Sequence, residues 1–193
     1  MCVIIVKKKG VELPSERELR QAFRSNPHGC GFVSSNGLYW RGMDIEDFLE
    51  NLKGVGIEDE CIIHFRYATH GSHKPSNCHP FKCGDLYFAH NGVLPIKTHH
   101  DMTDSETVFK NILVPAADMF GFGSKEFNSV VNNNIWSSKF AFMYKGKVRF
   151  YGRWFREDNG LIWSNLNHRP FSSMTRSWNY CNNSYDNIRA IFV

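Results

Sequence analysis

A chain of 193 residues, 42% hydrophobic and 22% charged, has the length and balance of one soluble globular domain that buries about 70% of its unfolded surface. A net charge of +4 with scattered basic residues excludes a nucleic-acid surface, and the absence of any long apolar run excludes a transmembrane helix and a membrane partner. The aromatic share of 15%, with 16 Phe, favours a sheet-rich interior.

The first predicted element is the run Val3-Ile4-Ile5-Val6, β-branched and apolar, which suits a buried strand. Lys7-Lys8-Lys9 follows this run instead of preceding it, so it reads as a solvated strand end and not as part of a secretory signal. The cytoplasm is therefore the expected location, with reduced thiols. Cysteines stand at 2, 30, 61, 78, 83 and 181, and none forms a Cys-x-x-Cys pair. Cys78-x4-Cys83 with His73 and His79 is a weak zinc pattern, and no metal or organic cofactor is expected. Cys61 reads as a small core residue.

Ser15 predicts a helix N-cap and Glu18 completes a capping box; Leu19, Ala22 and Phe23 give the apolar face, and Asn26-Pro27-His28-Gly29 ends the helix. Cys30 to Val33 and Leu38 to Trp40 read as a hairpin about Ser34-Ser35-Asn36-Gly37. Asp44 to Leu52 reads as a second helix. Cys61 to Tyr67 and Leu86 to His90 read as strands, and Asp104 to Val114 as a third helix. The stretch 115–134 is less regular and could hold a helix with irregular flanks. Phe140 to Tyr144, Lys147 to Tyr151 and Leu161 to Trp163 then read as antiparallel strands. Residues 2–170 make one domain. Residues 171–193 form a Ser-, Asn- and aromatic-rich tail, expected to be partly ordered, in which Ile188 to Val193 could add an edge strand. Helices interrupting groups of antiparallel strands favour an α+β layered domain over a doubly wound one.

Cys2 becomes the leading residue if Met1 is removed. It then offers a thiol as nucleophile and, as its base, an α-amine with an ordinary pKa of about 7.7–8.0. Asn91-Gly92 could stabilise an oxyanion with a side-chain amide and a backbone N–H, although Asn-Gly is also the strongest short hairpin signal. Arg66 offers a planar fork for a carboxylate, or an ordinary surface ion pair. Asp104 could pair with an ammonium group or serve as a helix N-cap, with Asp101 a nearby competitor.

The segments Met1-Cys2 entering a strand, His64-x-Arg66-x-Ala68-Thr69-His70-Gly71, His79-Pro80-Phe81, Ala89-His90-Asn91-Gly92 and Asp104-Ser105-Glu106 occur in this order over about 110 residues. With them the chain resembles the class II glutamine amidotransferases, a branch of the N-terminal-nucleophile hydrolases, and among these the small stand-alone members. The resemblance implies a four-layer αββα sandwich, with two antiparallel sheets between helical layers. It implies a glutaminase that releases ammonia through a γ-glutamyl thioester on Cys2, with Asn91 and Gly92 as the oxyanion hole. Arg66 and Asp104 would grip the α-carboxylate and α-ammonium of glutamine. Thr69, His70 and Gly71 would shape the pocket, with Thr69, His79 and His90 supporting it through hydrogen bonds. His70 is not needed as a base.

The implied partners are glutamine or a related amide, and a separate synthase subunit if ammonia is passed on. Two departures stand out: Val3 occupies a position that is commonly Gly in the family, and the spacing from Asn91 to Asp104 is short. Two alternatives therefore stay open, an amide or peptide hydrolase with another substrate and a non-catalytic binding module on the same fold.

Overall fold

The computed structural model describes residues 1–68, 72–98, 102–167 and 179–181. Among the described residues eleven strands lie in two sheets: β1 (Val3–Lys7), β2 (Cys30–Ser34), β3 (Tyr39–Gly42), β4 (Cys61–Phe65), β9 (Trp154–Arg156), β10 (Ile162–Trp163) and β11 (Asn179–Cys181) form the first. The second contains β5 (Phe81–Cys83), β6 (Leu86–Asn91), β7 (Lys139–Tyr144) and β8 (Lys147–Tyr151). The strand orders are β11-β9-β10-β1-β4-β2-β3 and β5-β6-β7-β8, with every described pairing antiparallel.

Period-two alternation assigns each strand's faces and hence the layers. On β1, Val3 and Ile5 pack with Leu19 and Ala22 of helix α1 (Glu16–Ser25) and Phe48 and Leu52 of α2 (Ile45–Leu52). Ile4 and Val6 face the other way and meet Ala89, Ala141 and Met143 of the second sheet. The outer face of that sheet, carrying Phe88, Phe140 and Phe142, buries Val108 of α3 (Asp104–Val108), Ala116 of α4 (Val114–Phe120) and Phe127 and Val131 of α5 (Lys125–Ile135). The architecture is an αββα sandwich.

The capping box of α1 forms as read: Glu18 N–H donates to Ser15 Oγ and the Glu18 carboxylate accepts the Ser15 N–H at 3.0 Å. The third helix is interrupted. Residues Phe109–Leu113 make a π turn in which Val114 N–H returns to Phe109 O, immediately before Pro115, which has no N–H for the carbonyl of Asn111. The less regular stretch resolves into α4 and α5, divided where Gly121 takes φ +81° and Ser124 caps α5. The N-cap of α3 is Thr103, not Asp104, which frees the carboxylate of Asp104 for other donors.

Lys7 corrects the reading of a solvated strand end. It is fully buried on the helix side of β1, and its Nζ donates to Ile57 O at 2.9 Å and Asp59 O at 2.5 Å. Burial lowers its pKa. The described part of the tail, β11, pairs with β9 at the edge of the first sheet, and Ile188 to Val193 lie outside the described residues.

Candidate active site

Three strands bring chemistry to one end of the space between the sheets. Cys2 precedes β1 and continues the face of Ile4 and Val6, which looks across at the second sheet. The register pairs Val3 with Phe65 and Ile4 with His64, so β4 runs beside β1 and delivers Arg66 just past its end. From the opposite sheet, β6 ends at Asn91, on the same face as Ala89. Cys2, Arg66, Tyr67, His79, His90, Gly92, Thr103, Asp104 and Ser105 line one cavity.

The Cys2 sulfur is held against the backbone of Tyr67. It accepts the Tyr67 N–H at 3.3 Å and faces Tyr67 O at 3.6 Å. Burial raises the pKa of the thiol; the Tyr67 N–H, the terminal ammonium and Arg66 oppose that rise. Arg66 is itself buried, and its Nη1 donates to Ser72 O at 3.2 Å.

Across the cavity, Asp104 Oδ2 accepts the Leu94 N–H at 2.9 Å, and Oδ1 accepts the Ser105 N–H at 2.7 Å and its hydroxyl at 3.2 Å. Three donors hold the carboxylate in one orientation. The Ser105 hydroxyl is also 2.7 Å from His90 Nδ1, which links the carboxylate to a buried histidine.

Gly92 lines the cavity at φ +148°, and a Cβ there would lie 2.2 Å from Ser138 Oγ. Only glycine fits this close approach. Asn91-Gly92 is not a hairpin turn, because the strand paired with β6 begins at Lys139. Asn91 is buried, and its Nδ2 donates to Ser164 Oγ at 2.8 Å. An amide nitrogen carries two hydrogens, so one remains for a second acceptor. Thr69, His70 and Gly71 lie outside the described residues, as does Asp101.

Three histidines form the buried ground beneath the cavity. His64 Nε2 donates to His90 O at 3.2 Å, and the His64 and His79 rings stand 4.3 Å apart. Burial pushes His64 down to about 3 and His79 well below the ordinary range; it takes His90 to about 4 although Asp104 pulls the other way. All three are neutral near pH 7. Cys78 is buried against Gly42 O, and Cys83 is exposed. The described residues contain no group of three or more His, Cys, Asp or Glu side chains placed to hold a metal.

Sequence reading missed Tyr67, Ser164 and Asn165. Tyr67 acts through its main chain, which leaves no mark on residue type. Ser164 and Asn165 meet Ile4 and Cys2 across about 160 positions, a separation no local pattern reports.

No protein-family profile matches the sequence, and no curated protein matches it. Solved structures do. The glutamine phosphoribosylpyrophosphate (PRPP) amidotransferase of B. subtilis, complexed with ADP and GMP, superposes with a TM-score of 0.58 at 16% identity. That match covers 93% of this chain and 44% of the other. A structure described as the allosteric regulatory enzyme of purine biosynthesis gives 0.58 at 17% identity, covering 95% and 45%. The likeness is one of fold. This chain spans less than half the length of either protein, and at such identities the likeness reaches the sandwich but not the residues within it.

Proposed function

We propose that the protein is a glutaminase-type amide hydrolase of the N-terminal-nucleophile class, with Cys2 as nucleophile once Met1 is removed. The observation that carries this reading is that Cys2, Arg66, Gly92 and Asp104, drawn from both sheets and a helix start, line one cavity. The fold shared with the PRPP amidotransferase supports it.

In the proposed cycle the α-amine of Cys2 takes the thiol proton and the thiolate attacks the amide carbon of glutamine. Burial holds the thiol up, so its proton must be taken by a base, and the α-amine of the same residue is the base in this reading. As the C–S bond forms, charge moves to the amide oxygen, where Gly92 N–H and the second Asn91 Nδ2 hydrogen donate to it. The α-ammonium then returns its proton to the leaving nitrogen, the C–N bond breaks and ammonia departs. Water hydrolyses the γ-glutamyl thioester to glutamate and regenerates the thiol. Arg66 pairs with the substrate carboxylate and Asp104 with its ammonium, so the cavity reads the amino-acid head as well as the amide.

Within this reading ammonia is released to water or handed to a separate synthase subunit. The test is the intact mass of purified protein, to establish loss of Met1, followed by ammonia release from glutamine against asparagine and against butyramide, a primary amide without the amino-acid head. Preference for glutamine supports the proposal. Equal turnover of amides lacking the amino-acid head favours a hydrolase with another substrate, which the Val3 departure already suggests. Labelling of Cys2 by an electrophilic glutamine analogue provides an independent check.

A further inference from the structure

The ladder between β1 and β10 ends in an unusual way. The register pairs Ile5 with Trp163 and Val6 with Ile162, so Ser164 comes next, opposite Ile4. Ser164 N–H donates to Ile4 O at 2.9 Å, as the antiparallel pattern requires. The return bond from Ile4 N–H goes instead to Ser164 Oγ, at 2.8 Å. The serine side chain has taken the place of its own carbonyl. Its hydroxyl is thereby drawn into the space between the sheets, where it accepts the Asn91 Nδ2 bond at 2.8 Å.

The chain then turns away, and Asn165 reaches back so that its Nδ2 donates to Cys2 O at 2.6 Å. Asn165 Oδ1 accepts the Asn167 N–H at 3.1 Å, which fixes the amide orientation. Ser164 is fully buried and Asn165 nearly so.

We infer that Ser164 and Asn165 are the positioning pair of the site. Ser164 ties the nucleophile's strand to the oxyanion donor of the opposite sheet, and Asn165 holds the main chain of the nucleophile itself. Neither needs to touch substrate. Ser164 acts through Asn91, and Asn165 acts through Cys2. With the sulfur against Tyr67 and the carbonyl on Asn165, the residue is held at both ends, so its amine and thiol keep one mutual geometry. This inference rests on the glutaminase reading for its kinetic consequences, though not for its chemical ones.

The test compares wild type, Ser164→Ala and Asn165→Ala, each with Met1 removed, in ammonia release from glutamine and in alkylation of Cys2 by iodoacetamide as a function of pH. Both variants should keep KM within about twofold and lose about tenfold or more in kcat, since small misplacements of reacting groups are costly. Asn165→Ala should also be alkylated several-fold faster at pH 7.5, because a released Cys2 reaches water and its thiol pKa falls toward the ordinary value. Ser164→Ala should leave alkylation unchanged. If Ser164→Ala does not fold, Ser164→Thr and Ser164→Val form a matched pair, alike in shape and differing in the hydroxyl. Equal kcat in that pair, or kcat within twofold of wild type in Ser164→Ala, would overturn the role of Ser164. Unchanged alkylation in Asn165→Ala would overturn the role of Asn165 whatever the activity. Wild type that releases no ammonia, with faster alkylation in Asn165→Ala, would instead sink the glutaminase reading and leave the grip on Cys2 standing.

Discussion

Gly92 is confined by two independent facts, a left-handed backbone and a neighbour, Ser138 Oγ, where a side chain would begin. Gly92→Ala is therefore expected to lower the thermal midpoint by several degrees, the effect of an overpacking cost of about 1–3 kcal/mol, and to cut turnover. Asn91→Ala should lower kcat by roughly 10²–10³ if the amide donates to the oxyanion; a loss under about threefold would return Asn91 to a purely structural tie with Ser164. Cys2→Ala should end ammonia release with the thermal midpoint nearly unchanged.

At this scale the sequence named residues that reach one cavity, Cys2, Arg66, Gly92 and Asp104, while their roles there stay with the proposal. It misled at Lys7. A lysine beside two others looks solvated, and nothing local reveals that Ile57 and Asp59 hold carbonyls over it. Nor could it show that the hydroxyl of Ser164 would replace its own carbonyl as the acceptor for Ile4 N–H, 160 residues away.

Among elements, those with strong local rules were read closely. The apolar run of β1, the capping box of α1 and the spacing of Phe48 and Leu52 on α2 each follow from short-range physics. Ser15→Ala should cost about 1 kcal/mol and lower the thermal midpoint by roughly 2–4 °C, with ammonia release unaltered, because α1 lies on the far side of the first sheet from the cavity. The elements that escaped reading are short or irregular. β5 and β9 hold three residues each and exist through their partners, Leu86 to Phe88 for one and the strands β10 and β11 for the other. The π turn arises where Pro115 withdraws a donor, and its effect falls on residues before the proline. Such features depend on what lies alongside, so a window moving along the chain passes over them.

For the molecule as a whole, the buried histidines set a pH limit. In the unfolded chain a histidine takes up its proton near pH 6.5, whereas His64 resists until about 3 and His90 until about 4. Between these values the unfolded state binds more protons. The stability the neutral rings contribute is thus complete above pH 6.5 and drains away as pH falls toward 4 and below. Thermal midpoints should be level from pH 7 to 8 and drop by roughly ten degrees or more by pH 4.5, and the fall should be shallower in His64→Gln. A level profile down to pH 4.5 would contradict the burial of neutral imidazoles.

The cavity has one wall from each sheet, and between the sheets lie Ile4, Val6, Ala89, Ala141 and Met143. Hydrogen bonds from His64 Nε2 to His90 O and from Asn91 Nδ2 to Ser164 Oγ also cross that seam beside the cavity, and bonds of this kind can give way before the whole body melts. Low concentrations of urea that let one slab glide over its neighbour by an ångström would desynchronise sulfur and oxyanion donor while every helix and ladder survived. Catalysis should therefore fade at a lower urea concentration than circular dichroism, and a substrate-like inhibitor bridging both slabs should bring the two midpoints back together.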